Sequence, residues 1–122
     1  VRKEFLKASA MVLNLCETKK IKGYTSVISI VNCNYLMERL KIDDSQKKIN
    51  LLSQIVEFLP CTKTDIQNSI ASGFVDFEDG VQNSIVTNSS SCEFIITRNF
   101  KDFQKSSLKV YTPQEFLYAN FG

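Results

Sequence analysis

Asp76 and Asp79 stand three residues apart in the run DFED, the densest polar cluster of the chain. That spacing puts both carboxylates on one face of the helix they open. Two like charges on one face repel unless a cation lies between them, and Mg²⁺ typically takes one or two carboxylates and completes its shell with water. The same residues also suit a helix start, where an N-cap Asp and an acid three positions later satisfy free amides and complement the dipole; spacing alone leaves both roles open. A second cluster, TRNFKDF at 97–103, follows the most strongly β-prone segment and places Arg98, Asn99 and Asp102 at the end of a strand. The plain alternative there is a solvated loop turning on Asn99. In a third set, Ser26 and Ser29 suit a helix cap, while Asn32 lies one turn further in an otherwise apolar stretch and needs partners if its amide is buried.

The chain contains no histidine. This excludes Ser/His and Cys/His nucleophile pairs, His acid–base catalysis and mixed Cys/His zinc sites. Any chemistry therefore falls to carboxylates and an oxygen-binding ion. With 122 residues, 43% hydrophobic and 23% charged, residues 1–122 are expected to form a single domain with a real core. Fifteen Lys and Arg against thirteen Asp and Glu leave a net charge of +2, too little to mark a nucleic-acid binder by bulk charge, so such a role would need local patches. The four cysteines, Cys16, Cys33, Cys61 and Cys92, are widely spaced without a CxxC pair and are expected to be reduced core residues. No apolar run approaches the roughly 20 residues of a membrane span, and the charged N-terminus is unlike a signal sequence, so no membrane association and a cytoplasmic location are expected.

Apolar residues at three- and four-residue steps, among them Phe5, Val12 and Cys16, predict a helix over 1–20 that Gly23 caps in the left-handed conformation. A strand at 24–27, helices at 28–40 and 45–53, and a strand at 55–59 follow. Thr64 opens a short helix with Asp65 in its first turn, and Gly73 closes it. A further helix begins near Asp76. Residues 93–97 read as a strand buried on both faces, residues 109–112 as a last strand, and Pro113 starts a closing helix over 114–118. This alternation predicts an α/β fold with a mainly parallel sheet covered on both faces. In such sheets sites form at the carboxyl ends of strands, here just after Ser26, Leu59, Thr97 and Thr112.

Taken in order, KGYTSVISIVN at 22–32, FVDFEDGVQ at 74–82, CEFIITRNFKDF at 92–103 and VYTPQEF at 110–116 resemble the PIN (PilT N-terminal) domain family, and within it the VapC-like toxin branch. The resemblance implies a three-layer α/β/α fold with sheet order 3-2-1-4-5. It also implies Mg²⁺- or Mn²⁺-dependent endoribonuclease activity at a cluster of acids, RNA as substrate, and an antitoxin protein as partner. Asp79 matches the family's acid at the start of the helix before the TRN strand, and Asp76 is an additional acid one turn earlier. Asn32 falls where many members have Glu, and Asn99 where many have Asp; both amides can orient a metal's water but bring no charge. The resemblance thus makes Asp79, Asp76, Asn99 and Asn32 the catalytic set and Asp79, Asp76 and Asp102 the metal ligands. Arg98, Lys101, Lys105 and Ser29 become the substrate-binding residues.

Family members open with an apolar strand leading into a DTN-like motif, whereas this sequence begins at the helix that follows. An N-terminally incomplete PIN domain is therefore expected, with a gap at the centre of the sheet between the strands at 24–27 and 93–97. Unpaired apolar edges recruit other chains. The gap is expected to close by direct pairing, by a strand from a second copy in a homo-oligomer, or by an upstream segment. The alternative function is a catalytically inactive PIN-like module that binds a partner protein or RNA.

Overall fold

A computed structural model describes residues 2–122. Helix α1 spans Arg2–Glu17; of the helix expected over 1–20, Val1 lies outside the described residues, as does the side chain of Phe5. Two residues past the end of α1, Lys19 takes the left-handed conformation with φ 63°, and the Lys20 amide bonds back to the Leu15 carbonyl at 2.9 Å. Gly23 is thus not the cap. It opens strand β1 (Gly23–Ser26), and glycine is required there for room: a Cβ would lie 2.6 Å from Cys16 Sγ and 2.9 Å from Val56 Cγ1.

The Ser26 hydroxyl caps α2 (Val27–Arg39) by accepting from the Ser29 amide at 3.0 Å. Helix α3 (Ser45–Leu52) leads to strand β2 (Val56–Leu59), and α4 (Lys63–Ala71) starts behind Thr62. Helix α5 (Phe77–Thr87) is capped by Asp76. Strand β3 (Phe94–Ile96) precedes a 3₁₀ turn over Phe100–Phe103, and strand β4 (Lys109–Tyr111) precedes α6 (Pro113–Phe121). The last helix opens with Pro113 and a reciprocal pair: the Glu115 carboxylate accepts from the Thr112 amide at 2.9 Å, and the Thr112 hydroxyl accepts from the Glu115 amide at 3.1 Å.

The alternation delivers the expected α/β fold with parallel strands, divided into two short sheets among the described residues. β1 pairs with β2, Gly23 opposite Val56, and β3 pairs with β4, Phe94 opposite Lys109. β1 and β3 do not pair, so direct pairing across the expected gap is not how this chain joins its halves. Helices link them instead: α4 packs on α5 and α1 on α6, and two side-chain bonds run from α2 to α5.

Phe116 of α6, 2% exposed, is the most buried large side chain, with ring centroids of Phe94 at 5.2 Å, Phe121 at 5.9 Å and Tyr111 at 6.0 Å. Such ring clusters contribute beyond their area. β3 is half-buried along its length, a correction to the fully buried strand expected, because a sheet this narrow has little to cover it. Of the cysteines only Cys16 is buried; Cys33 is exposed and Cys61 and Cys92 are half-buried, all with free thiols. Helix α2 buries none of its residues, leaving Val31, Tyr35, Leu36 and Leu40 exposed. No helix among the described residues is long and apolar enough to cross a membrane.

Helices α4 and α5 pack around a buried carboxylate. Asp65 Oδ2 accepts from the Thr62 amide at 2.9 Å and the Thr62 hydroxyl at 3.2 Å, and Oδ1 accepts from the Ser84 hydroxyl at 2.7 Å. Burial alone would raise the Asp65 pKa, but the Thr62 amide, the Ser84 and Thr62 hydroxyls and the Asn88 amide outweigh it and hold the carboxyl below its usual range. A depressed folded-state pKa stabilises the fold above the ordinary Asp value of about 4 and ceases to do so as pH falls through the folded value. Asp65→Asn is expected to cost about 1–3 kcal/mol at neutral pH, with the gap to the parent closing in acid; urea denaturation across that range checks both. Gly80 of α5 lies so close to α4 that a Cβ would sit 2.3 Å from Ser69 Oγ. Gly80→Ala is expected to destabilise by about 1–3 kcal/mol, and adding Ser69→Ala to recover part of it, as thermal unfolding will show.

Candidate active site

The first turn of α5 carries the acids. Asp76 Oδ1 accepts from the Asp79 amide at 2.9 Å, the capping contact that its spacing allowed. The loop before it is held from the far side of the chain: Lys105 Nζ donates to the Gly73 carbonyl, and the Phe74 and Phe103 rings meet edge-on with centroids 5.9 Å apart. Phe103 is buried and closes the 3₁₀ turn that carries Asp102. This strap brings Asp102 to α5 from a segment more than twenty residues away.

Asp79 is half-buried, and its carboxyl is pushed above the usual range first by burial and then by the charges of Asp76, Asp102 and Glu78. The charges of three other carboxylates thus reach Asp79 at the start of α5. Asn99 sits at the head of the 3₁₀ turn, its amide donating to Thr97 Oγ1 at 3.0 Å and its carbonyl accepting from the Asp102 amide at 3.0 Å. Arg98 and Lys101 flank it on the exposed surface, while Lys105 is engaged with Gly73.

Helix α2 closes the other side. The Ser26 hydroxyl donates to Ser29 Oγ at 3.1 Å, and the Ser29 hydroxyl donates to Gln82 Oε1 at 2.9 Å. One turn further, Asn32 Nδ2 donates to Glu78 Oε1. Asn32, singled out because a buried amide needs partners, finds its partner in Glu78. Neither Glu78 nor Gln82 was singled out by sequence reasoning. Their spacing of four residues on a helix flanked by apolar Val81 and Ile85 was the available signal.

Among the described residues no three or more Asp, Glu, His or Cys side chains converge as a ready-made metal cage. The donors are nonetheless all oxygens, which suits a hard dication taking one or two carboxylates and otherwise water. Mutual repulsion at Asp79 is what such a charge would relieve. Asn83, one turn beyond Asp79 on α5, adds a buried side-chain oxygen without a hydrogen-bond donor among the described residues. An all-oxygen set of donors suits a hard, hydrated dication better than a softer ion.

Comparison with protein families matches residues 1–101 to the model described as PIN domain. The match takes in Asn32, Asp76, Asp79 and Asn99 and ends just before Asp102. No curated protein and no solved structure matches the chain.

The capping role of Asp76 is separable from any catalytic one. Asp76→Ala is expected to lower stability by about 1 kcal/mol and Asp76→Asn to leave it nearly unchanged, a difference that chemical denaturation of the two variants resolves.

Proposed function

This chain belongs to the PIN domain family, a family of nucleases, and from that premise we propose that it is a metal-dependent endoribonuclease of the toxin type, hydrolysing RNA phosphodiesters. The observation that carries the reading is the half-buried Asp79 at the head of α5, crowded by the carboxylates of Asp76, Asp102 and Glu78. Asp79 holds Mg²⁺ or Mn²⁺ with help from Asp76 and Asp102. When bound, such an ion lowers the pKa of a coordinated water and offsets charge on the phosphoryl oxygens. Asp76 caps α5 with one oxygen and leaves its charge beside Asp79. Asn32 holds Glu78 through its neutral side-chain amide, and Asn99 holds the turn of Asp102 through its backbone carbonyl.

Arg98 and Lys101, exposed directly after β3, bind RNA phosphates, with an affinity that falls with salt and carries no sequence choice. Ser29 and Lys105 serve the substrate indirectly, by fixing α2 and the loop before α5. The protein acts in the cytoplasm as a VapC-like toxin, as a single domain that self-associates and is checked by an antitoxin protein. The apolar face of α2, with Val31, Tyr35, Leu36 and Leu40 exposed, supports a protein partner.

A second reading, a PIN-like module that binds RNA or protein without cutting, is favoured by the neutral amides at Asn32 and Asn99 and by the lack of a three-ligand cage among the described residues. Assay of a single-stranded RNA with Mn²⁺ separates the two. Asp79→Asn is expected to lower cleavage by at least about 100-fold, beyond the 10–100-fold typical of outer-shell partners, with circular dichroism unchanged. Parental protein that binds RNA and leaves it intact with Mn²⁺ decides for the second reading.

A further inference from the structure

The 3₁₀ turn after β3 sets two phenylalanines to opposite uses. Residues three apart eclipse in such a turn, so Phe100 and Phe103 stand on one face, with Lys101 and Asp102 on the other two. Phe103 is buried and meets the Phe74 ring edge-on, 5.9 Å between centroids, which pins the inner end of that face against the segment leading into α5. Phe100, the outer rung, is 37% exposed and joins none of the ring pairs among the described residues. The turn that carries it is held at both ends: the Asn99 carbonyl accepts from the Asp102 amide at 3.0 Å, and Lys105, just beyond, donates to the Gly73 carbonyl. A ring fixed in this way loses little freedom on meeting a ligand. Its two neighbours carry opposite charges. Lys101 is exposed, and Asp102 is the acid whose charge reaches Asp79 from this turn.

We propose that Phe100 is a stacking platform for an unpaired base of the RNA, with Lys101 on the adjoining phosphate. The inference rests on RNA as the substrate, as given above, and adds to that reading a residue that grips the base rather than the backbone. Charge sorts the occupant. An apolar peptide side chain would suit the ring but gives Lys101 no anion, whereas a nucleotide carries a flat π-face and a phosphate within one unit. Asp102 on the other flank repels that phosphate, so the backbone is held to the Lys101 side and the base turns over the ring. Bases inside a duplex are stacked on one another and have no face to offer, so the contact selects single strands. Every base has a π-face, so it tolerates any sequence.

Fluorescence anisotropy with a labelled single-stranded RNA in EDTA, which prevents metal-dependent cleavage, reads this contact apart from activity. Phe100→Ala is expected to weaken binding about fivefold to a hundredfold, the loss of one base–aromatic stack. Phe100→Leu, which keeps an apolar side chain, should lose as much, and Phe100→Tyr, which keeps the ring, should bind as the parent does. Salt separates the ring from its neighbour: Lys101→Ala should lower the slope of log affinity against log salt by about 0.7, while the Phe100 variants leave it unchanged. An oligomer of the same length built of abasic spacers should bind the parent and Phe100→Ala alike. Thermal unfolding confirms that each variant is folded, and Phe100→Leu carries the comparison if alanine loosens the turn. Unchanged affinity in Phe100→Ala, parental affinity in Phe100→Leu, or an equal loss on the abasic oligomer overturns the stacking role and leaves the nuclease reading to be judged by cleavage with Mn²⁺. Parental protein that binds no single-stranded RNA in EDTA overturns it as well. Stacking without cleavage in Mn²⁺ upholds the platform and decides the function for the second reading.

Discussion

Asp65 lies 5% exposed between α4 and α5, its two oxygens taken by the Thr62 amide and hydroxyl and by the Ser84 hydroxyl. A buried carboxylate is tolerated only when its hydrogen-bonding capacity is met, and here meeting it requires α4 and α5 to keep one fixed separation. Ser84 in turn accepts from Asn68 at 2.9 Å and Asn88 at 3.2 Å, so donors from both helices converge on the same point. Ser69 adds a bond to the Phe77 carbonyl at 2.7 Å, next to the place where Gly80 lets the two backbones approach. The rest of the molecule is arranged about the helix that this network immobilises.

Helix α5 has distinct jobs along its length. Val81 and Ile85 enter the core, Ser84 locks the helix to α4, Glu78 and Gln82 reach α2, and Asp76 and Asp79 form its charged beginning. Rigid support under a crowded set of carboxylates resolves a physical conflict. Like charges would drive a loop apart, whereas residues on the first turn of a helix cannot leave without unwinding it. The α5 dipole favours negative charge at this end and offsets part of the repulsion. Asp102 arrives on a separate segment, held by Phe103 in the core and by the bond from Lys105 to Gly73.

The two halves of the chain meet chiefly through helices. Among the described residues β1–β2 and β3–β4 are two separate parallel pairs, and the packing of α4 on α5 and of α1 on α6, with the side-chain bonds from α2 to α5, ties one half to the other. Unpaired strand edges and the exposed apolar side chains of α2 are both surfaces on which another polypeptide could be accommodated.

Much of this was determined by sequence alone. The absence of histidine excluded catalysis by histidine, the alternation of helical and β-prone segments implied an α/β fold with parallel strands, and the spacing of Asp76 and Asp79 put both at the start of α5. These are local properties, set by side-chain chemistry and backbone periodicity within a few residues. Tertiary structure decided what local pattern could not: that Asn32 answers to Glu78, that Lys105 straps Gly73, and that Asp65 is buried against Ser84. It also reassigned Gly23 from a helix cap to a close contact with Cys16 and left the apolar stripe of α2 exposed. Periodicity shows which residues share a face, but what that face meets depends on segments distant in the chain, and hydrogen-bond partners forty-six or fifty-three residues apart leave no mark on the sequence near either one.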